Sequence, residues 1–103
     1  MTAVYFHHSN GCTYGYKSFN QPIDAWDTHN VTDMMCMFYH ARSFNQPIGA
    51  WDTHNVTNMH CTFAHASSFN QSIDAWDTHN VTNIYGMFDG GCPLKQSPPH
   101  WYH

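Results

Sequence analysis

A tandem repeat constrains this chain more than any other feature. The block Ala-Trp-Asp-Thr-His-Asn-Val-Thr begins at Ala25, Ala50 and Ala75, and Ser-Phe-Asn-Gln precedes each block at a constant offset. The interval is 25 residues both times. A fixed period of about 20–50 residues indicates one supersecondary unit stacked on copies of itself. Such a chain presents columns of equivalent side chains, which is more typical of a scaffold or binding surface than of a catalytic pocket.

The period divides the chain into three repeats and two flanks within a single domain. Repeat 1 is residues 18–42, repeat 2 is 43–67 and repeat 3 is 68–92. Residues 1–17 predict an N-terminal cap, in which Thr13 to Lys17 keep a decayed repeat register. Residues 93–103, rich in Pro and aromatic side chains, predict a C-terminal tail.

Within one repeat, the spacing predicts a strand followed by a helical segment. Ile23-x-x-Trp26-x-Thr28 has the spacing of leucine-rich repeats, which favours a short strand. The next apolar residues recur at i, i+3, i+4 and i+7, one face of a short helix or 3₁₀ turn; in repeat 1 they are Met34, Met37, Phe38 and Ala41. The predicted fold is therefore an α/β repeat solenoid of right-handed, leucine-rich-repeat-like coils, with one short parallel strand and one short helix or 3₁₀ turn per 25 residues. The Phe, Ile, Trp and Val columns are its predicted core.

Composition narrows the function classes. Charged residues make up 10% of the chain and the net charge is −4 with neutral His, so a nucleic-acid partner is not expected. No run of 18 apolar residues occurs, so no membrane span is expected. The sequence has no Gly-rich phosphate loop and no nucleophile elbow, and an enzyme is not expected. Ten His and four Cys are many for a scaffold of 103 residues.

The repeat itself resembles a known one. Phe-Asn-Gln-Pro-Ile-x-x-Trp-Asp-Thr-x-Asn-Val-Thr-x-Met-x-x-Met-Phe is similar to the roughly 25-residue repeat of bacterial and mycoplasmal surface lipoproteins, grouped with the BspA-like leucine-rich-repeat proteins. The resemblance covers Ser18 to about Gly91. It implies an extracellular or cell-surface location and a role in adhesion or protein interaction, and it carries over no catalytic residue.

Two side-chain columns are candidate metal sites. The first column alternates carboxylates and imidazoles on one predicted face, a ligand set for Zn²⁺ or Cu²⁺. It comprises Asp27, His29, Asp52, His54, Asp77 and His79. The second has Cys-x-x-x-His in two repeats, together the Cys₂His₂ set of structural zinc. It comprises Cys36, His40, Cys61 and His65. The alternatives are surface or turn roles for the His residues, and a Cys36–Cys61 disulfide or free or otherwise paired thiols for the Cys residues.

Two further groups of residues are weaker candidates. Asn-Val-Thr at Asn30, Asn55 and Asn80 is a glycosylation sequon, although each Asn also suits a turn. Trp101, Tyr102 and His103 are candidates for a partner contact.

The sequence thus predicts a non-enzymatic surface repeat protein that binds another protein or itself, by end-to-end stacking into an oligomer or filament. The alternative function is metal binding, with zinc or copper as the only cofactors indicated.

Overall fold

The structure is a computed structural model that describes residues 17–103. The three repeats stack directly on one another, so that equivalent side chains form columns. The principal dimensions are 29 × 28 × 27 Å, so the stack is about as long as it is wide. The predicted cap over residues 1–17 lies outside the described residues except for Lys17.

The predicted α/β solenoid is wrong. Within residues 17–103 the only helix is a 3₁₀ helix, Pro93–Lys95, and no strand or sheet forms. Two isolated parallel bridges, Asp33 to Asn58 and Asn58 to Asn83, join neighbouring repeats. The rest of each repeat is built from turns.

The predicted helix fails because of two residues per repeat in the left-handed conformation. In repeat 1, Cys36 has φ 57° and His40 has φ 61°; Cys61 and His65 repeat these values in repeat 2. An α-helix cannot continue through such residues. The backbone amides of this segment instead donate to the next repeat, as in Cys36 N to His60 O at 2.9 Å.

The predicted strand is replaced by side-chain bonding between repeats. Thr28 is buried, and its Oγ1 donates to Asp52 O at 3.0 Å; Thr53 Oγ1 donates to Asp77 O at 3.1 Å. Because these threonine hydroxyls take the place of backbone ladder bonds, residues near Trp26 join neighbouring repeats without forming a sheet.

The predicted core columns are confirmed. The rings of Trp26, Trp51 and Trp76 stack at successive centroid distances of 6.4 Å. Each inner indole is also anchored, since Trp51 Nε1 donates to Ile23 O and Trp76 Nε1 to Ile48 O. The Phe columns run beside them and complete one continuous hydrophobic core. Stacking therefore buries the apolar side chains that a single repeat would leave exposed to water.

Candidate functional site

The Asp–His column forms three separate dyads on the surface. In each repeat the imidazole Nδ1 lies against the carboxylate Oδ1 two residues earlier: 2.5 Å for His29, and 2.6 Å for His54 and for His79. The backbone N–H of the same His also donates to that oxygen. About half of each side chain is exposed. Each carboxylate thus fixes its own imidazole within one tight turn.

The dyads change the protonation behaviour of their members. The hydrogen bond from the partner imidazole lowers the pKa of Asp27, Asp52 and Asp77. The same hydrogen bond, which the Asp27 carboxylate accepts, raises the pKa of His29. In the first dyad both shifts favour the ion pair. In all three dyads Nδ1 is held by the carboxylate and Nε2 points away from it.

Each dyad has one feature of a metal-binding His, but the dyads do not form a complete metal site. Metal-ligating His residues commonly donate their second ring nitrogen to a carboxylate, as each dyad does. Among residues 17–103, however, no three His, Cys, Asp or Glu side chains are grouped closely enough to hold one ion. The dyads supply single, pre-oriented imidazoles.

The second candidate column is divided between a disulfide and a free thiol. Cys36 is disulfide-bonded and fully buried, whereas Cys61 is a free thiol. The Cys36–Cys61 disulfide is therefore not formed, and in this oxidised state Cys36 is no thiolate ligand for zinc. Burial raises the pKa of the Cys61 thiol, which disfavours its metal-binding form.

The histidines of this column stack on each other. The rings of His40 and His65 lie 4.3 Å apart and nearly parallel, with Tyr39 packed edge-on against both. Burial lowers the pKa of His40, and the positive charges of His65 and Arg42 act in the same direction. These rings pack as aromatic spacers between repeats 1 and 2.

The sequon asparagines serve as clamps between repeats. Asn55 Nδ2 donates to His29 O at 2.8 Å, and Asn80 Nδ2 donates to His54 O at 2.7 Å. The amide nitrogen that a glycan would need is thus engaged in the stack at these two positions, and glycosylation stays a prediction.

The C-terminal segment, residues 93–103, keeps the repeat register. Leu94 is buried in the column of Phe69, and Trp101 stacks on Trp76 at 6.5 Å with its Nε1 donating to Ile73 O. Tyr102 packs edge-on against Phe88 at 4.9 Å. The segment therefore forms the first half of a fourth repeat. Trp101 and Tyr102 are half-buried, and His103 is exposed.

The other half of this end of the stack is open. In repeats 1 and 2, four backbone N–H groups donate to carbonyl oxygens of the following repeat. In repeat 2 these groups belong to Met59, Cys61, Phe63 and His65. The matching amides of Ile84, Gly86, Phe88 and Gly90 have no acceptor within residues 17–103. A cleft beside them is lined by Thr78, Val81, Thr82, Ile84, Trp101 and His103. We name residues 78–90 the open edge.

Sequence reasoning missed the left-handed turns, although a signal for them was present. Gly86 and Gly90 occupy the columns of the left-handed Cys and His residues, and both have positive φ themselves. Two glycines four residues apart, aligned with non-glycine residues, indicate a left-handed turn at both columns.

Fold and site together define a turn-built repeat stack with a surface row of Asp–His dyads and one open edge. The chain matches, over residues 7–102, the family described as Mycoplasma protein of unknown function, DUF285, and it belongs to that family. The further relation to BspA-like leucine-rich-repeat proteins stays a prediction.

No curated protein and no solved structure matches the chain. Nor does any helix in the described residues have the length and apolarity that a membrane crossing needs.

Proposed function

We propose that this chain is a non-enzymatic protein of a cell surface or extracellular space that acts by binding protein, itself included. The observation that carries the proposal is the row of amides on the open edge, which find no acceptor within residues 17–103. A backbone edge of this kind pairs with another polypeptide, because each unmet N–H offers a hydrogen bond.

The apolar side chains of the open edge support the same function. Val56 is 1% exposed because repeats 1 and 3 cover it, whereas Val81 in the same column is only half-buried. Ile84 is likewise half-buried, although Met34 and Met59 in its column are buried. A bound protein segment would remove this apolar surface from water as the next repeat does elsewhere.

A photo-cross-linking residue at Thr82, which is exposed on the open edge, tests the proposal. The matched control carries the same residue at Ser67, which is exposed in repeat 2. We expect protein adducts at position 82, either between copies of the purified chain or to a protein of the source cell's surface, and none at position 67. Absence of position-specific adducts in both settings would overturn the proposal.

Metal binding is a second candidate function, and the dyads are the observation that favours it. With Nδ1 held by a carboxylate, each His presents Nε2 in a fixed orientation, and two dyads on neighbouring molecules could share one ion. Calorimetric titration of zinc and of copper into the wild type, Asp52→Asn and His54→Ala tests it. Weaker binding in both variants is the expected result, and equal isotherms in all three proteins would exclude the dyads as ligands.

A further inference from the structure

The repeated Asn-Gln pairs form a hydrogen-bond ladder along one side of the stack. The backbone N–H of Asn45 donates to Asn20 Oδ1 at 2.9 Å, and Gln46 Nε2 donates to both Asn20 O and Asn20 Oδ1, at 3.1 and 3.0 Å. Asn70 and Gln71 make the same three bonds to Asn45, at 2.9, 3.2 and 3.1 Å. Each acceptor Asn therefore holds one side-chain nitrogen between its two oxygens.

The ladder stops at Asn70. The following segment, residues 93–99, contains the 3₁₀ helix, and the backbone amides of Lys95 and Gln96 donate to carbonyl oxygens within that helix and its N-terminal cap. Residues 98 and 99 are prolines, which have no backbone N–H to donate. Within the described part of the chain, Asn70 O and Oδ1 consequently accept no hydrogen bond.

A cavity of about 220 Å³ lies between the end of this ladder and the segment that follows. Residues 70–74 line one side of it, and Leu94 and residues 97–99 line the other. The volume is below the range of about 300–1,000 Å³ that is typical of pockets for drug-sized ligands. The cavity therefore suits a single side chain or a small molecule. It shares no residue with the open edge.

The lining of the cavity combines hydrogen-bond acceptors, one negative charge and apolar walls. Asp74 supplies the charge; its Oδ1 accepts from the backbone N–H of His100 at 3.0 Å, and the His100 ring nitrogen Nδ1 lies 3.5 Å from the same oxygen. Ile73 and Leu94 are buried apolar residues of the lining, which contains no Lys or Arg. Such a lining favours a ligand with a positive charge, several N–H donors and an alkyl chain.

We propose that this cavity binds a primary alkylammonium group, the chemical group at the end of a lysine side chain or of a free aliphatic amine. The nitrogen lies between Asn70 O and Oδ1, as the Gln46 nitrogen lies between the two oxygens of Asn20. An ammonium group has three N–H donors, so it can bond to both Asn70 oxygens, while the Asp74 carboxylate balances its charge. The alkyl chain packs against the apolar wall.

Titrations followed by NMR of the backbone amides test the proposal. The probes are n-butylamine in its protonated form and a lysine blocked at both ends. Both should give saturable shifts at residues 70–74. Asn70→Ala and Asp74→Asn should each raise the dissociation constant at least about threefold, because each removes one contact to the ammonium group. Asp24→Asn, in the same column of repeat 1 and also exposed, is the matched control and should bind like the wild type.

Two further probes separate the charge from the hydrogen bonds in the wild-type protein. Tetramethylammonium carries the charge without an N–H, and a glutamine blocked at both ends carries N–H donors without the charge. Both should bind at least about threefold more weakly than n-butylamine. Tighter binding of the blocked lysine than of n-butylamine would assign the site to a lysine of a protein partner, and the reverse order would assign it to a free amine; either order supports the proposal.

Three results would overturn the proposal. They are the absence of saturable shifts at residues 70–74 with both amines, equal affinity for either of the two further probes, and wild-type affinity in both Asn70→Ala and Asp74→Asn. Each of these results would leave the proposed function standing, because that function rests on the open edge.

Discussion

Repeat 2 and repeat 3 share most of their sequence and differ in their surroundings. Repeat 2 has a neighbour on both sides, and its four ladder amides all donate to repeat 3. Repeat 3 has a complete neighbour on one side only, and its equivalent amides find no acceptor within the described residues. From this comparison we expect the contacts between repeats to contribute more to the stability of the fold than contacts within one repeat.

The largest effect is expected at the centre of the stack. Phe63 is fully buried and stacks with Phe38 at 5.3 Å and with Phe69 at 4.4 Å. Phe63→Ala should lower the free energy of unfolding by about 3–5 kcal/mol, because it removes a whole buried ring and leaves a cavity between repeats. Chemical denaturation measures it. A loss below about 1 kcal/mol would contradict the interlocked core.

Two neighbouring glycines, Gly90 and Gly91, test how closely repeats 2 and 3 pack against each other. A Cβ at Gly90 would lie 2.3 Å from His65 Nδ1, whereas a Cβ at Gly91 would meet nothing within 4 Å. Both glycines have positive φ, so both Ala variants carry a left-handed penalty of about 1 kcal/mol. We expect Gly90→Ala to cost about 1–3 kcal/mol more than Gly91→Ala.

The excess at Gly90 should vanish when His65 is shortened. In the His65→Ala background, thermal denaturation of Gly90→Ala and Gly91→Ala should give nearly equal losses, since the clashing ring is gone. An unchanged difference between the two variants would mean that the His65 ring does not lie over Gly90.

A matched substitution in one column measures the openness of repeat 3 directly. Val56→Ala removes buried methyl groups and should cost about 2 kcal/mol. Val81→Ala, at the open edge, should cost less than about 1 kcal/mol in dilute protein because that side chain is already partly exposed. Equal losses in urea denaturation would indicate that the two repeats are equally covered.

The Asp–His dyads should behave alike in both repeats, because each bond lies within a single repeat. A lowered Asp pKa adds stability that is present above the unfolded value of about 3.9 and is lost as pH falls through the folded value. The raised pKa of His29 adds stability that is present below about 6.5 and is lost as pH rises through the folded value. The Asp27–His29 dyad should therefore stabilise the fold most between these limits.

Melting temperatures from pH 2 to pH 9 check this expectation. Asp52→Asn and Asp77→Asn should flatten the acid side of the profile by similar amounts, since neither dyad depends on a following repeat. A profile that matches the wild type in both variants would show that the dyads do not couple to folding.

The sequence predicted the columns well and the backbone poorly. The 25-residue period and the apolar columns identify Trp51, Val56 and Phe63 as core, because stacking buries whatever recurs at a constant offset. The i, i+3, i+4 spacing after Thr32 also fits a helix, but the same side chains face the core from a chain of left-handed turns. Gly86 and Gly90 distinguish the two, since a regular helix gives no reason for glycine at those columns.

The candidate sites were predictable only in part. The repeated Asp-Thr-His pattern indicates that Asp27 and His29 lie on the same side of the chain. An Asp at this position favours a tight turn in which its carboxylate accepts from the backbone two residues on, but the contact between the carboxylate and the imidazole becomes visible only in the structure. The disulfide state of Cys36 depends on which thiols the fold brings together, so four Cys residues alone could not decide it. The place of Trp101 in the Trp column becomes visible only once its ring is placed on Trp76.

Hydrogen exchange of individual backbone amides tests the central comparison most directly. In dilute protein, the amides of Met59, Cys61 and His65 should exchange slowly, because each donates to repeat 3, and those of Ile84, Gly86 and Gly90 should exchange rapidly. The second set should become protected as protein concentration rises and copies associate. Equal protection of the two sets in dilute protein would contradict the open edge, and with it the account of how this chain binds its partner.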